Sequence, residues 1–124
     1  METVIVYGSC YGTAKIYAET LAEQMKYKVL PYDKAKETDG YETIIYVGGL
    51  YAGGVRGMEK TVKKISTVKC KRFVVITVGL ADPDDEKNVR NIRKAAFRQI
   101  PKPLAHRKEF YHLRCGIDDE QLSF

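Results

Sequence analysis

Short apolar runs along this chain alternate with longer segments in which apolar residues recur every three or four positions. The short runs are rich in β-branched and aromatic residues and are bounded by Gly, Pro, Asp or Lys, a pattern typical of β-strands. The predicted strands are Val4–Tyr7, Lys28–Leu30, Thr43–Val47, Phe73–Val78 and Glu109–Cys115. The first, third and fourth are continuous rather than alternating, as expected of parallel strands that are buried on both faces.

The longer segments have the spacing of amphipathic helices. The predicted helices are Thr13–Lys26, Met58–Val68 and Asp84–Ile100, and Pro101 ends the last of them. The stretch Tyr32–Tyr41 is too short and polar for a helix and is predicted to be a loop with at most one turn. Strands that alternate with helices predict βαβ units, a parallel sheet and helices on both of its faces.

The bulk composition is that of one soluble globular domain covering residues 1–124, with 44% hydrophobic and 30% charged residues. No run approaches the about 20 apolar residues that cross a bilayer, and Met1-Glu2 leads directly into a strand, so we expect a cytoplasmic protein. The three cysteines, Cys10, Cys70 and Cys115, lie far apart, so neither a metal site nor a disulfide is expected.

The net charge of +5 and the isoelectric point near 9.1 favour anionic partners. Most of the basic residues fall within 56–72 and 87–108, where solvated helix faces account for them. Because no nucleic-acid-binding motif is present, a nucleic-acid partner is not expected, although charge alone leaves it open. Contact with a membrane surface is compatible with the same charge.

In such a fold, ligands bind beyond the carboxyl ends of the strands. Three segments leave those ends, 8–13, 48–57 and 79–83, and all are rich in Gly and small residues. The hydroxyls of Ser9 and Thr13, with Gly8 and Gly12 between strand and helix, favour a phosphate held at a helix N-terminus. The same spacing fits a plain capped turn equally well. Tyr51 offers an aromatic face to a ligand.

The first loop, Ser9-Cys10-Tyr11-Gly12-Thr13-Ala14, resembles the phosphate loop of the flavodoxin family, although Tyr11 and Ala14 replace hydroxyl residues of that pattern. The resemblance implies a flavodoxin-like α/β fold: a doubly wound, five-stranded parallel sheet of order 2-1-3-4-5 in three α/β/α layers. It also implies FMN as the cofactor, with its phosphate on residues 9–14. Its ring would lie between two loops, one with Gly49, Leu50, Tyr51, Ala52 and Gly53 and the other with Gly79, Leu80, Ala81 and Asp82.

Within that family the chain resembles the menaquinone-linked protoporphyrinogen oxidase type, on the strand exit Gly48-Gly49-Leu50-Tyr51, the following helix and the basic surface. The resemblance implies electron transfer or FMN-dependent oxidation or reduction, with a redox partner protein, a quinone or a small-molecule substrate. No residue is predicted to act as a catalytic acid or base. His106 and His112 are expected away from the site, and Asp82 is expected to belong to a helix cap.

The final helix of a flavodoxin-like sheet is expected to be missing, since the sequence stops soon after Gly116. The exposed apolar face would then favour a homo-oligomer. A second hypothesis is a cofactor-free scaffold with a regulatory or interaction role, based on Ala14 and the missing helix. A receiver-type signalling domain is disfavoured, because Tyr7-Gly8 and Gly48 stand where its acidic residues would be.

Overall fold

The computed structural model describes residues 2–8, 12–38, 40–51, 54–65, 70–79, 84–100 and 108–114. Within these ranges the chain forms six strands, three α-helices and one 3-10 helix. In chain order they are β1 (Thr3–Gly8), α1 (Thr13–Met25), β2 (Lys28–Pro31), the 3-10 helix (Tyr32–Thr38), β3 (Thr43–Tyr51), β4 (Gly54–Val55), α2 (Met58–Val62), β5 (Arg72–Gly79), α3 (Glu86–Phe97) and β6 (Lys108–Arg114).

The sheet has the order β2-β1-β3-β5-β6, and these five strands are parallel to their neighbours. The short β4 pairs antiparallel with β3 and lies off this path. Counting only the parallel strands, the order is 2-1-3-4-5, so the predicted flavodoxin-like α/β topology is confirmed.

Two hydrophobic clusters fill the space on the two faces of the sheet. Ile5 and Val47 point toward α1, whereas Val6 and Tyr46 belong to the cluster on the side of α2 and α3. Neighbouring residues of one strand thus pack on opposite faces of the sheet, because successive side chains of a strand point in alternating directions. This arrangement gives the three α/β/α layers expected from the sequence.

The sequences of α1 and α3 show why these helices form: α1 has an apolar stripe that faces the sheet, and α3 has a residue that caps its N-terminus. In α1, Ala14, Ala18, Leu21 and Ala22 make one buried stripe against the sheet. In α3, the carboxylate of Asp85 caps the N-terminus by accepting hydrogen bonds from the amides of Lys87 and Asn88. The helix therefore begins at Glu86, two residues after its predicted start at Asp84.

Besides shifts of one to three residues at the ends of other elements, three larger differences separate the structure from the sequence prediction. Residues 32–38 form a 3-10 helix with a kink at Lys34 rather than a loop. The helix predicted to run to Val68 ends at Val62, and its last turn closes with a hydrogen bond from the amide of Lys64 to the carbonyl of Thr61. β3 continues to Tyr51, four residues beyond its predicted end, because it finds a partner strand in β4.

On the α1 side, the described residues surround a groove of about 410 Å³. Its apolar lining consists of Leu21, Met25, Ile45, Val74, Ile76 and Tyr111.

Residues 115–124, on which the expectation of a missing final helix depends, lie outside the described residues. None of the helices described here has the length and apolar character needed to span a membrane.

Candidate functional site

Glycines line the carboxyl edge of the sheet at the centre of the molecule. Gly8, the last residue of β1, pairs with Gly48 of β3, and Gly49 pairs with Val78 of β5. The register therefore brings the ends of β1, β3 and β5 side by side, where the sequence predicted a ligand site.

The first candidate loop leads from this edge into α1. Gly12 is the N-cap residue and has a φ of 86°, a left-handed conformation that glycine adopts at little cost. Within the described residues, no side chain caps this helix and its first turn has no acidic residue. Ser9, Cys10 and Tyr11 lie outside the described residues.

The described part of this loop fits an anionic group. A Cβ built on Gly12 meets no atom within 4 Å, so the surface beside it is open to a ligand. The first amides of α1 point to the same end, and the helix dipole favours negative charge there. Thr13 is half-buried, while Ala14 is buried in the core beneath α1 and offers only its backbone. The donor set is thus that of a phosphate site built mainly from amides.

The second candidate segment is a β-hairpin rather than the expected loop. Gly49, Leu50 and Tyr51 belong to β3, and β4 returns beside them with Leu50 opposite Val55 and Tyr51 opposite Gly54. The amide of Arg56 also donates to the carbonyl of Gly49, 2.8 Å away. Ala52 and Gly53, at the tip of this hairpin, lie outside the described residues. Ladder hydrogen bonds therefore fix the backbone on this side of the site.

Tyr46 anchors the chain where the hairpin turns into α2. Its ring is fully buried, and its hydroxyl donates a hydrogen bond to the carbonyl of Arg56. Burial raises the pKa of Tyr46, so the hydroxyl keeps its proton and remains a donor. A Cβ on Gly8 would lie 2.8 Å from the carbonyl carbon of Arg56 and still closer to its oxygen. Gly8 is therefore required by the close approach of this chain segment.

Tyr46, Arg56 and Gln99 form the hydrogen bonds that hold this hairpin, and the sequence gives no signal for these roles. Tyr46 stands in an apolar run and was predicted only as a strand residue. Its hydroxyl bond, like the bond from the amide of Val55 to Gln99, depends on the position of β4, which has only two residues and gives no periodic signal.

The third candidate segment begins at Gly79, the last residue of β5. A Cβ on Gly79 would lie 2.7 Å from Cδ1 of Leu50, so the structure brings these two predicted site residues into contact distance. Leu80, Ala81 and Asp82 lie outside the described residues. The described parts of the two segments predicted to flank the ring, Gly49–Tyr51 and Gly79, are therefore adjacent at the carboxyl edge of the sheet.

His112 lies closer to the site than the sequence analysis predicted. Its Nδ1 is hydrogen-bonded to Oγ1 of Thr77, 2.7 Å away, and the ring is buried. Its Cε1 lies 3.4 Å from the Cβ position of Gly79. The expectation that His112 is remote from the site is wrong, because parallel pairing places it beside Thr77, two residues before the end of β5. His106 lies outside the described residues.

A doubly wound parallel sheet with a glycine-lined carboxyl edge, and an α1 N-terminus that no described side chain caps, define the class of α/β proteins whose ligand sites lie at this edge. The particular family follows from the sequence: a family model described as a flavodoxin domain matches residues 4–124, and the chain belongs to this family. Membership implies a flavin cofactor, FMN.

Solved structures share the fold at low sequence identity. A putative flavoprotein from Bacteroides eggerthii is 11% identical with a TM-score of 0.62, and the match covers 97% of this chain and 91% of that one. Oxidised flavodoxin 2 from Bacillus cereus is 17% identical with a TM-score of 0.60, and the match covers 98% of this chain and 90% of that one. The flavodiiron core from Synechocystis is 13% identical with a TM-score of 0.60, and the match covers 98% of this chain but only 32% of that longer one. A comparison with curated proteins gives no match.

Proposed function

We propose that this protein binds FMN at the carboxyl edge of its sheet and uses it for electron transfer or for oxidation and reduction. The observation that carries this proposal is the uncapped N-terminus of α1 beside the paired glycines Gly8 and Gly48. When bound, FMN supplies the redox chemistry, and the protein supplies binding, orientation and electrostatics.

The residues assigned to the phosphate are Ser9, Cys10, Tyr11, Gly12, Thr13 and Ala14, acting largely through backbone amides. Those assigned to the ring are Gly49, Leu50, Tyr51, Ala52 and Gly53 on one side and Gly79, Leu80, Ala81 and Asp82 on the other. Support for this assignment comes from the contact between Leu50 and Gly79 and from the hairpin that fixes Gly49. The described side chains at this edge are mainly apolar or hydroxyl-bearing, which suits a planar aromatic ring.

The direct test is titration of the apoprotein with FMN, followed by quenching of flavin fluorescence. Two glycine variants form a matched pair, because Gly12 and Gly40 both have a positive φ, 86° and 94°, and both have open space around a built Cβ. Gly12→Val and Gly40→Val therefore carry a similar backbone strain, but only Gly12 belongs to the proposed phosphate loop.

We expect FMN affinity to fall at least about tenfold in Gly12→Val and to change less than about twofold in Gly40→Val. Equal effects in both variants would assign the loss to strain alone. Absence of FMN binding by the folded wild-type protein would refute the proposal and leave a cofactor-free scaffold as the function.

A finer proposal concerns the substrate. Resemblance to the menaquinone-linked protoporphyrinogen oxidase type and the net charge of +5 support a carboxylate-bearing substrate such as a porphyrinogen, with a quinone as acceptor. Menaquinone-dependent oxidation of protoporphyrinogen by the FMN-loaded protein is the corresponding assay. Activity no greater than that of free FMN would restrict the function to electron transfer with a protein partner.

We also propose that the protein associates with a second copy of itself. The support is the apolar groove on the α1 side, beside which Met25 and Tyr111 are each 49% exposed.

A further inference from the structure

Positive charge is concentrated on α3. Lys87, Arg90, Lys94 and Arg98 are exposed and follow one another at intervals of three or four residues, so they form a single stripe along the helix surface. None of the four forms an ion pair with another described residue. The exposed charges of α1, in contrast, are mixed in sign: Lys15, Glu19, Glu23 and Lys26. Among the described residues, the exposed surface of α3 beyond its acidic start at Asp84, Asp85 and Glu86 is therefore more basic than that of α1.

An apolar groove of about 580 Å³ lies beside this stripe, between the ends of α2 and α3. Val62, Ile65 and Ile100 form its apolar lining, and Lys63 and Arg98 stand at its rim. Glu59 also lines the groove, but its carboxylate is paired with Lys63 at 3.6 Å. Because this ion pair neutralises Lys63 as well as Glu59, the described rim has a net charge of +1, which Arg98 carries beside the apolar floor and the amide of Gln99.

The groove continues toward the candidate flavin site. A hollow of about 190 Å³ shares Glu59 and Gln99 with it and reaches Val55 and Arg56. Arg56 is the residue whose amide bonds to Gly49 of the candidate ring segment. A molecule seated in the groove would thus lie next to the hairpin that borders the flavin site.

The chemistry of this face favours an acidic protein over a lipid surface. Membrane-surface helices insert large apolar side chains beside their basic residues. The large apolar side chains exposed among the described residues are Ile16, Met25 and Tyr111, which lie on α1 and β6 and not on α2 or α3. Phe97, between Lys94 and Arg98, is half-buried, so the described part of the basic face has no fully exposed apolar anchor for a bilayer.

The shape of the face also disfavours nucleic acid. Single-stranded nucleic acid is bound through exposed aromatic platforms, whereas the groove between α2 and α3 has an aliphatic lining. Phe97 lines a neighbouring hollow with Lys94 and Arg98, but it is half-buried and the guanidinium of Arg93 lies over its ring, 5.2 Å from the centroid. A concave apolar hollow with a basic rim instead fits a protruding apolar side chain that is surrounded by carboxylates.

We propose that the stripe on α3 and the groove between α2 and α3 together form the docking surface for an acidic protein, which places an apolar side chain in the groove. Its use in electron transfer rests on the proposed function, whereas the binding itself does not require flavin. The acidic partner supplies the complementary charge, and the groove orients it toward the hairpin at the flavin site.

The probe for this surface is a fluorescent twelve-residue peptide of glutamates with two central leucines, compared with the same peptide carrying alanines at the centre. Binding is measured by fluorescence anisotropy with both the apoprotein and the FMN-loaded protein. Lys94→Glu/Arg98→Glu brings the net charge of the four-residue stripe from +4 to zero. Lys26→Glu/Lys28→Glu makes the same change in net charge at exposed residues beyond α1, and circular dichroism verifies that both variants are folded.

We expect the leucine peptide to bind the wild type, with or without FMN, and to bind the Lys94→Glu/Arg98→Glu protein at least about tenfold more weakly. The control variant should change the affinity less than about threefold, and the alanine peptide should bind more weakly than the leucine peptide. Equal losses in both variants would overturn the proposal, since net charge alone would then account for binding.

Two further outcomes would also overturn it. One is absence of binding by the leucine peptide. The other is binding of duplex DNA, or of vesicles containing phosphatidylglycerol, that is tighter than peptide binding and is lost in Lys94→Glu/Arg98→Glu. Peptide binding by a protein that fails to bind FMN would sustain the docking surface while refuting the flavin proposal, so the two failures are distinguishable.

Discussion

The backbone amide of Val55 donates a hydrogen bond to Oε1 of Gln99, which lies 2.9 Å away and 44 residues later in the chain. This bond connects β4, the returning strand of the hairpin at the flavin site, to the residues that follow α3. Because Val55 is buried, its amide has little access to water as a replacement acceptor. The position of the hairpin therefore depends on a side chain that lies just beyond the C-terminus of α3.

Replacing Gln99 by leucine should destabilise the protein by about 1–3 kcal/mol, because a buried amide would lose its acceptor. Gln24→Leu is the matched control, since Gln24 is exposed on α1 and the same chemical change there removes no such bond. Chemical denaturation of both variants measures the difference. A loss of stability in Gln99→Leu no larger than in the control would contradict the importance of this hydrogen bond.

Gly8→Ala should be strongly destabilising, by about 3 kcal/mol or more, because the added methyl group would overlap the backbone carbonyl of Arg56. At Gly12 the added methyl group meets no atom within 4 Å, so Gly12→Ala should cost only the strain of a positive φ, about 1 kcal/mol. Urea unfolding of the two variants tests the order. A smaller effect at Gly8 than at Gly12 would mean that the segment at Arg56 moves away easily.

The ion pair between Arg72 and Glu109 should make a small contribution to stability that depends on pH. The guanidinium donates two hydrogen bonds to the carboxylate, one of 2.9 Å from Nη2 to Oε1, and it lowers the pKa of Glu109. A lowered carboxyl pKa adds stability above the ordinary value of 4.5, and this stability is lost as the pH falls through the lowered value.

Both side chains are substantially exposed, so we expect Glu109→Gln to cost only about 0.2–1 kcal/mol at neutral pH. The difference from the wild type should shrink as the solution is acidified below the ordinary carboxyl pKa. Thermal unfolding across a pH series measures it, with the exposed Glu19→Gln as reference. A difference that grows on acidification would have the wrong sign for this pair.

Met25→Lys should weaken self-association at least about tenfold, because it places a charge in the apolar groove on the α1 side. Ile16→Lys is the control: Ile16 is 62% exposed on the same helix, but it does not line the groove. Sedimentation velocity over a concentration series compares the two with the wild type. A wild-type protein that remains monomeric at all concentrations would refute the proposed self-association.

The sequence predicted the parallel sheet because buried strands such as Phe73–Val78 carry continuous apolar residues, a pattern that few other structures produce. It predicted α3 from the amphipathic spacing of its residues and expected a helix cap beginning at Asp82, and the structure has the N-cap at Asp85. It did not predict β4, since Gly54 and Val55 are too short a run to show a period. The 3-10 helix was missed for a related reason, because its polar residues form no apolar stripe.

The candidate site was predicted as three segments, since the rule for parallel sheets needs only the positions of the strand ends. The contacts between the residues of the site could not be predicted from the sequence. That Leu50 reaches Gly79, or that His112 bonds to Thr77, depends on strand register, which follows from the packing of the whole sheet. The burial of Ala14 on the sheet-facing side of α1, in contrast, follows from the amphipathic spacing of that helix.

The hairpin formed by β3 and β4 has a consequence for how a ligand reaches the protein. Its backbone is held by pairing at Leu50 and Tyr51, by Gln99 and by the buried hydroxyl of Tyr46, so it opens only when several of these bonds break together. The amide hydrogens of Val55 and Arg56 should accordingly exchange slowly with solvent even without a cofactor. The described backbone on this side of the site is therefore in place before a ligand arrives, and binding does not require it to fold.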